Sequence, residues 1–347
     1  MNHKTLNEFC AKAFEKAGLS KENASIAADI LVECDIRGVY SHGVVALPYY
    51  IKQMKLGGIN VQAEPAIEKE GLSYTLLNGN GGMGQLNAYK ATKIAIEKAK
   101  KSGVAISTVK NSNHFGAGAT YALMAAREGM IGQAISNAPP TMSVTGGKGR
   151  NIGNNPFSLA SPAGKHSPVV LDMAMSVVAA GKIANAAVAG ESIPKGWMLD
   201  KDGHDTSDPK AFQEGGALLP FGGYKGYGLA AFVEILAGIM PGAGITHQVT
   251  SWKRKPDAPT QTGHFIQVIN VDAFMPIAEF KSRIDEFINE IHNYPRVDGC
   301  EKIFVPGEIE NITAEKALQE GVYLAEGTAK GLIELAKETG LDYSFLS

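Results

Sequence analysis

Leu6, Phe9, Cys10, Ala13 and Phe14 repeat at helical spacing, and Gly18 is placed to end the helix they predict. Ser20 can cap a second helix that carries Ile26, Ile30, Leu31 and Cys34 on one face. A third helical stretch, Tyr49 to Leu56, runs into Gly57-Gly58. Near the other end Ala329, Leu332, Ile333 and Ala336 form one more apolar stripe, stopped by Gly340. Terminal helices of similar character often pack together. One helical unit built from both chain ends is therefore expected.

The middle of the chain has a different rhythm. Tyr74 to Leu77, Val104 to Val109, Ile131 to Ile135 and Val169 to Leu171 are short β-branched or apolar runs bounded by Gly, Asn or Pro, which suits buried strands. Helical patterns from Leu86 to Lys101 and from Gly228 to Met240 separate some of them, and Phe265 to Val271 is a further strand candidate. Ile277, Phe280, Ile284, Phe287, Ile288 and Ile291 then give a helical face. Strands interleaved with helices predict an α/β domain with helices on both faces of a sheet. Residues 200–216 and 250–262 read as polar loops.

Composition narrows the function classes. A chain of 347 residues makes about two domains at ~150 residues each. The 33 Lys+Arg against 35 Asp+Glu argue against a nucleic-acid footprint or a polybasic membrane surface. Three scattered cysteines, Cys10, Cys34 and Cys300, suit a reducing, cytoplasmic setting. No signal-peptide pattern and no membrane-spanning apolar run is seen. Forty glycines point to tight turns and close backbone approaches.

Three glycine- or histidine-bearing segments carry candidate chemistry. Gly79-Asn80-Gly81-Gly82-Met83-Gly84 matches the dinucleotide fingerprint G-x-G-x-x-G between a strand and a helix. The next strand, however, ends at Val109-Lys110-Asn111 without the acidic residue that would hold a ribose, so a helix-starting turn is the better reading. His114 in Asn111-Ser112-Asn113-His114-Phe115-Gly116 follows a strand end, and His42 lies between helices beside Ser41. An imidazole in either place suits general acid/base chemistry near neutral pH; the other six histidines lack such a setting. Gly222-Gly223-Tyr224-Lys225-Gly226-Tyr227-Gly228 opens a helix, either as an ordinary turn or as an anion site with Lys225 adding charge. No metal-ligand spacing is present.

Together with Asn154-Asn155-Pro156, Leu171 to Ser176, Gly181-Lys182, Gly263-His264-Phe265 and Val305 to Glu308, these segments resemble the malate/L-lactate dehydrogenase family of the second, non-Rossmann type. That family includes ureidoglycolate, sulfolactate and malate dehydrogenases, 2,3-diketogulonate reductase and piperideine-2-carboxylate reductase. The resemblance implies a three-layer α/β domain around a mixed, largely antiparallel sheet, plus a helical domain from both termini. On this basis residues 1–72 with 292–347 are expected to form the helical, dimerising domain, and 73–291 the cofactor-binding domain. It also implies a homodimer that binds NAD or NADP, and a small carboxylate substrate.

Residue by residue, the resemblance makes His114 a proton acceptor and His42 a proton donor, and places Ser41 and Tyr50 at the substrate. Asp172, Met173, Ala174, Met175 and Ser176, with Tyr224, Lys225, Gly307 and Glu308, match segments that hold the cofactor. The implied activity interconverts a small, malate- or lactate-like 2-hydroxy acid with its 2-oxo acid. The alternatives are reduction of a sugar-derived or cyclic-imine 2-carboxylate, or a catalytically silent cofactor-binding homologue. One position departs from the family pattern: an arginine expected three residues after Gly43 is Ala46. Alanine offers a carboxylate nothing, so another cation, with Arg37, Lys52 and Arg150 as candidates, must replace it, or the substrate differs.

Overall fold

Polar caps start the first two helices. In the computed structural model, which describes residues 1–346, the Asn2 side chain accepts from the N–H groups of Lys4 and Thr5 ahead of α1 (His3–Lys16). The Ser20 hydroxyl accepts from the Asn23 N–H ahead of α2 (Lys21–Ile36). Short 3₁₀ turns over Tyr40–His42 and Val44–Ala46 lead into α3 (Leu47–Lys55). The apolar faces of these helices share one core with Ala317 of α9 (Glu308–Glu320) and with Leu332, Leu335 and Ala336 of α10 (Glu326–Thr339). Backbone hydrogen bonds between Met1 and Val322 tie the two chain ends together. Each fully buried Leu, Ile or Phe in this core contributes about 1.5–3 kcal/mol.

The centre is a seven-stranded sheet in the order β1-β2-β3-β11-β4-β7-β8. Its strands are β1 (Ala66–Glu70), β2 (Tyr74–Asn78), β3 (Val104–Ser112), β4 (Met130–Ser136), β7 (Phe157–Ser161), β8 (Val169–Met173) and β11 (Thr262–Asn270). Only β2 and β3 run parallel; the other pairs are antiparallel. A smaller sheet joins β5 (Pro140–Met142), β6 (Ile152–Gly153), β9 (Met198–Leu199) and β10 (Ala217–Leu218). Strands of two or three residues are too short to leave a period-two pattern, so the sequence carries no sign of them.

Alternation along the central strands builds three layers. Ala105, Ala134, Ile266 and Val268 pack with α4 (Gly84–Ser102) and α5 (Gly118–Arg127). Ile135 and Phe265 share a core with residues of α6 (Ala180–Ala189) and α7 (Tyr224–Val233), and of the π-helical turn that continues α7 over Glu234–Ile239. The registers place Ser112, Thr262, Ser136, Phe157 and Met173 at one end of the sheet. One expectation takes a different form: α8 (Ile277–Asn293) has the amphipathic face, yet only Ile288 on it is buried. No helix among the described residues is long and apolar enough to cross a membrane.

Candidate active site

The turn after β3 carries His114, and the glycine-rich loop before α4 holds that turn in place. Gly79 and Gly81 donate their N–H groups to the carbonyls of Lys110 and Asn111. The Asn113 amide donates to the carbonyls of Gly81 and Gly82. A side chain at Gly84 would put its Cβ 2.1 Å from the Asn113 carbonyl oxygen. The G-x-G-x-x-G loop is thus packed against the protein's own backbone. Asn113 is fixed further by Gln53 Nε2 and by the Thr260 N–H, both donating to its Oδ1, at 3.2 and 3.0 Å.

His114 itself is clamped from two sides. Its Nδ1 is hydrogen-bonded to the Tyr50 hydroxyl at 2.6 Å, and the Trp252 ring stacks on it with centroids 4.7 Å apart. Trp252 also stacks on Tyr50 at 4.9 Å. Tyr50, expected to line the substrate pocket, is buried, with its hydroxyl engaged by this histidine. The His42 ring lies 5.7 Å from that of His114, and its Nδ1 is 2.9 Å from the Ser41 hydroxyl. Buried Asp35 steadies the His42 segment by accepting the Val44 N–H at 2.7 Å, and a Cβ at Gly43 would meet this carboxylate at 2.2 Å.

The electrostatics favour uncharged imidazoles. Burial, then the charges of His42, Lys253 and His264, holds His114 well below the ordinary histidine range. Burial and then Lys253 bring His42 down to about 4. Burial raises Asp35 to about 7 and pushes the Tyr50 phenol above its usual value. A neutral histidine can accept a proton through whichever ring nitrogen is unprotonated.

His264 had no evident setting in the sequence, yet it lies directly behind this site. Its Nδ1 and Nε2 contact the hydroxyls of Ser136 and Ser112 at 2.9 and 2.8 Å, and Phe115 stacks on it. With both nitrogens engaged it braces the sheet end, and burial takes it down to about 3. Trp252 and Lys253 likewise carry no sequence signal beyond one of two tryptophans standing before Lys-Arg-Lys in a loop.

Of the segments expected to hold the cofactor, residues 172–176 and the start of α7 lie at this end of the sheet, whereas Gly307 packs on Val170 near the start of β8. The Phe221 N–H donates to the Met175 carbonyl and Ser176 bridges to Pro220, which joins the 172–176 stretch to the start of α7. There Tyr224 and Lys225 are exposed, and Gly223 leaves the helix start without a side-chain cap. A cleft of about 360 Å³ beside it is lined by Gly146, Gly147, Val177, Gly222 and Gly223 among others. An uncapped helix start, a nearby lysine and open glycines fit a pyrophosphate.

Other members of the set are committed internally. Asp172 accepts from the Ser158 hydroxyl and the Ala119 N–H. Met175 is in the core and Ser176 donates to the Val178 carbonyl. Gly307 packs against Val170, and Glu308 is paired with His292 and Lys302. Met173 and Ala174 are half-buried between these positions.

The three arginine substitutes proposed for position 46 sit elsewhere. Ala46 is buried. Arg37 donates to Asn311, Arg150 donates to the carbonyls of Gly216 and Phe212, and Lys52 lines a groove between α3 and α10. Lys253 is the lysine whose charge acts on both His42 and His114. Among the described residues no group of three His, Cys, Asp or Glu side chains is gathered to hold a metal ion.

Residues 1–333 match the family model described as malate/L-lactate dehydrogenase. The chain is 41% identical to the malate dehydrogenase of Pyrococcus abyssi over 343 residues, covering 97% of this chain and 94% of that protein. It superimposes on the sulfolactate dehydrogenase of Methanocaldococcus jannaschii with a TM-score of 0.93 at 36% identity, covering 99% and 98% of the two chains. A malate dehydrogenase from Entamoeba histolytica gives a TM-score of 0.94 at 32% identity, with 99% and 98% covered.

Proposed function

The chain belongs to the malate/L-lactate dehydrogenase family, and from that premise we propose that it interconverts a small 2-hydroxy acid and its 2-oxo acid, with NAD or NADP as hydride carrier. The observation that carries the reading is a half-buried His114, held well below the ordinary histidine range and oriented by Tyr50, at the same sheet end as an uncapped, glycine-rich helix start bearing Lys225. In strand order β3 and β8 are four spacings apart, about 19 Å, a span that an extended dinucleotide covers.

In the oxidation direction His114 accepts the hydroxyl proton at Nε2, with its Nδ1–H donated to the Tyr50 oxygen. His42 and Ser41 hold the substrate oxygen beside it. Tyr50 acts through His114, setting which ring nitrogen is free. When bound, the nicotinamide supplies or accepts the hydride. Lys225 and the N–H groups at the start of α7 would hold the pyrophosphate, with the 172–176 stretch, Gly307 and Glu308 as the further residues available to the cofactor. The paired hydrogen bonds of the Gly79–Gly84 loop support keeping the cofactor away from it.

The shared terminal core supports a helical domain of residues 1–72 with 292–347 beside a cofactor domain of 73–291. The exposed Phe287 of α8 and Ile309 and Ile312 of α9 support a homodimer. Three unpaired cysteines are in keeping with the cytoplasm. Ala46 favours one second reading, reduction of a sugar-derived or cyclic-imine 2-carboxylate.

The test follows nicotinamide absorbance with NAD(H) and NADP(H) against malate, lactate, sulfolactate, their 2-oxo acids and a cyclic-imine carboxylate. Turnover of a 2-hydroxy acid that is lost in His114→Ala is the expected result. Turnover confined to the imine moves the assignment to the second reading, and none with any substrate removes both.

A further inference from the structure

The segment after Val249 is a loop whose base is clipped to the sheet end. The Thr250 N–H donates to the Thr260 carbonyl, the Thr260 N–H to Asn113 Oδ1, and the Thr260 hydroxyl to the Ser112 carbonyl. Within the loop the Arg254 and Lys255 N–H groups both return to the Ser251 carbonyl, which closes a turn around Trp252 and Lys253. Trp252 therefore reaches the site from a fixed base, and its ring stacks on both Tyr50 and His114. The Lys253 ammonium lies 5.0 Å from the Trp252 ring centre and 5.1 Å from that of Tyr49.

We propose that Lys253 binds the substrate carboxylate, in place of the arginine absent at position 46, with Trp252 holding the ammonium beside the histidine pair. The proposal rests on the 2-hydroxy acid reading given above. Two aromatic faces attract the ammonium but supply no counter-ion. Lys253 is exposed as a residue, yet partial desolvation of its ammonium lowers its pKa, and its charge is felt at both His42 and His114. A cation beside the histidine pair, with no carboxylate paired to it among the described residues, is suited to an anionic partner in the substrate. Arg37 and Arg150 are occupied by protein acceptors.

Lysine differs from arginine in what it selects. A guanidinium grips a carboxylate through two parallel hydrogen bonds and so fixes its plane, whereas an ammonium is a compact point charge with rotatable donors. Lys253 thus selects for a negative charge on the substrate but tolerates variation in carboxylate orientation.

The test compares wild type with Lys253→Ala and Lys253→Arg, by steady-state kinetics on the active 2-oxo acid and by binding of oxamate, an unreactive 2-oxo acid analogue. Binding is read from protein fluorescence with reduced cofactor present. In Lys253→Ala, KM and the oxamate Kd should rise about 10- to 100-fold, the loss of one charge-assisted contact. The kcat and the cofactor Kd should change little, and Lys253→Arg should recover most of the affinity. An unchanged oxamate Kd in Lys253→Ala overturns the proposal, as does wild-type protein that binds no oxamate. Equal losses in kcat and cofactor affinity without rescue by arginine also overturn it, because they mark a structural role. If oxamate binding behaves as expected but no 2-hydroxy or 2-oxo acid is turned over, the functional reading fails and the anion site stands.

Discussion

The Tyr50 hydroxyl and His114 Nδ1 lie 2.6 Å apart although 64 residues separate them in the chain. Burial keeps the phenol protonated and the imidazole neutral, so one proton lies between the two atoms and its position decides which nitrogen of His114 is basic. Tyr50→Phe removes that control and leaves a part-buried nitrogen without its partner, at a cost of about 1 kcal/mol or more. The expected result is a kcat lowered about 10-fold or more with cofactor affinity unchanged, read from single-turnover rates and cofactor titration.

The two histidines should separate kinetically. On the proposed roles, His114→Ala removes the proton acceptor and should lower kcat about 10²-fold or more. His42→Ala should mainly raise KM, since it removes a contact shared by bound substrate and transition state. Steady-state kinetics of both variants check this; the opposite split would exchange their roles.

Asp35 gives a pH signature in stability. Its carboxyl moves from an ordinary 3.8 to about 7 in the folded protein, so its contribution is fully present below about pH 4 and is lost as pH rises through about 7. Asp35→Asn keeps an acceptor for the Val44 N–H and lacks the charge. Its Tm should therefore gain on wild type between about pH 5 and pH 8, which a thermal melt series measures.

His42 and His264 act in the opposite sense. Their folded values of about 4 and about 3 lie below the usual 6.5, so the unfolded chain binds more protons in that interval. Stability from these groups is present above about pH 6.5 and drains away as pH falls through about 4. Denaturant melts from neutral pH downwards should show the loss, and His264→Asn should reduce its slope.

Gly84→Ala tests the loop beneath His114. The new methyl would collide with the backbone carbonyl of Asn113, which cannot rotate aside. A stability loss of about 1–3 kcal/mol is expected from such overpacking. It should come with a lower kcat as the His114 turn shifts, measured by urea melts alongside turnover.

Local pattern was enough for elements whose evidence is local. The buried faces of α1 and α2, the Ser20 cap and the glycine stop at Gly340 follow from helical periodicity and backbone conformation within a few residues. His114 and His42 were visible because each sits in a short, distinctive segment, and Gly79–Gly84 could be set aside because its acidic partner was missing from the next strand. Strand order was not local. The placement of β11 between β3 and β4 depends on side-chain burial across long loop closures, which no window of sequence records.

The same reason separates the rest of the site. Trp252 reaches Tyr50 and His114, and His264 reaches Ser112 and Ser136, only because antiparallel pairing brings the start of β11 beside the ends of β3 and β4. The sequence by itself determined the longer helices and strands and singled out His114 and His42 as candidates. Tertiary packing decided which groups orient them and put Lys253 among them, because desolvation and charge act through space and not along the chain.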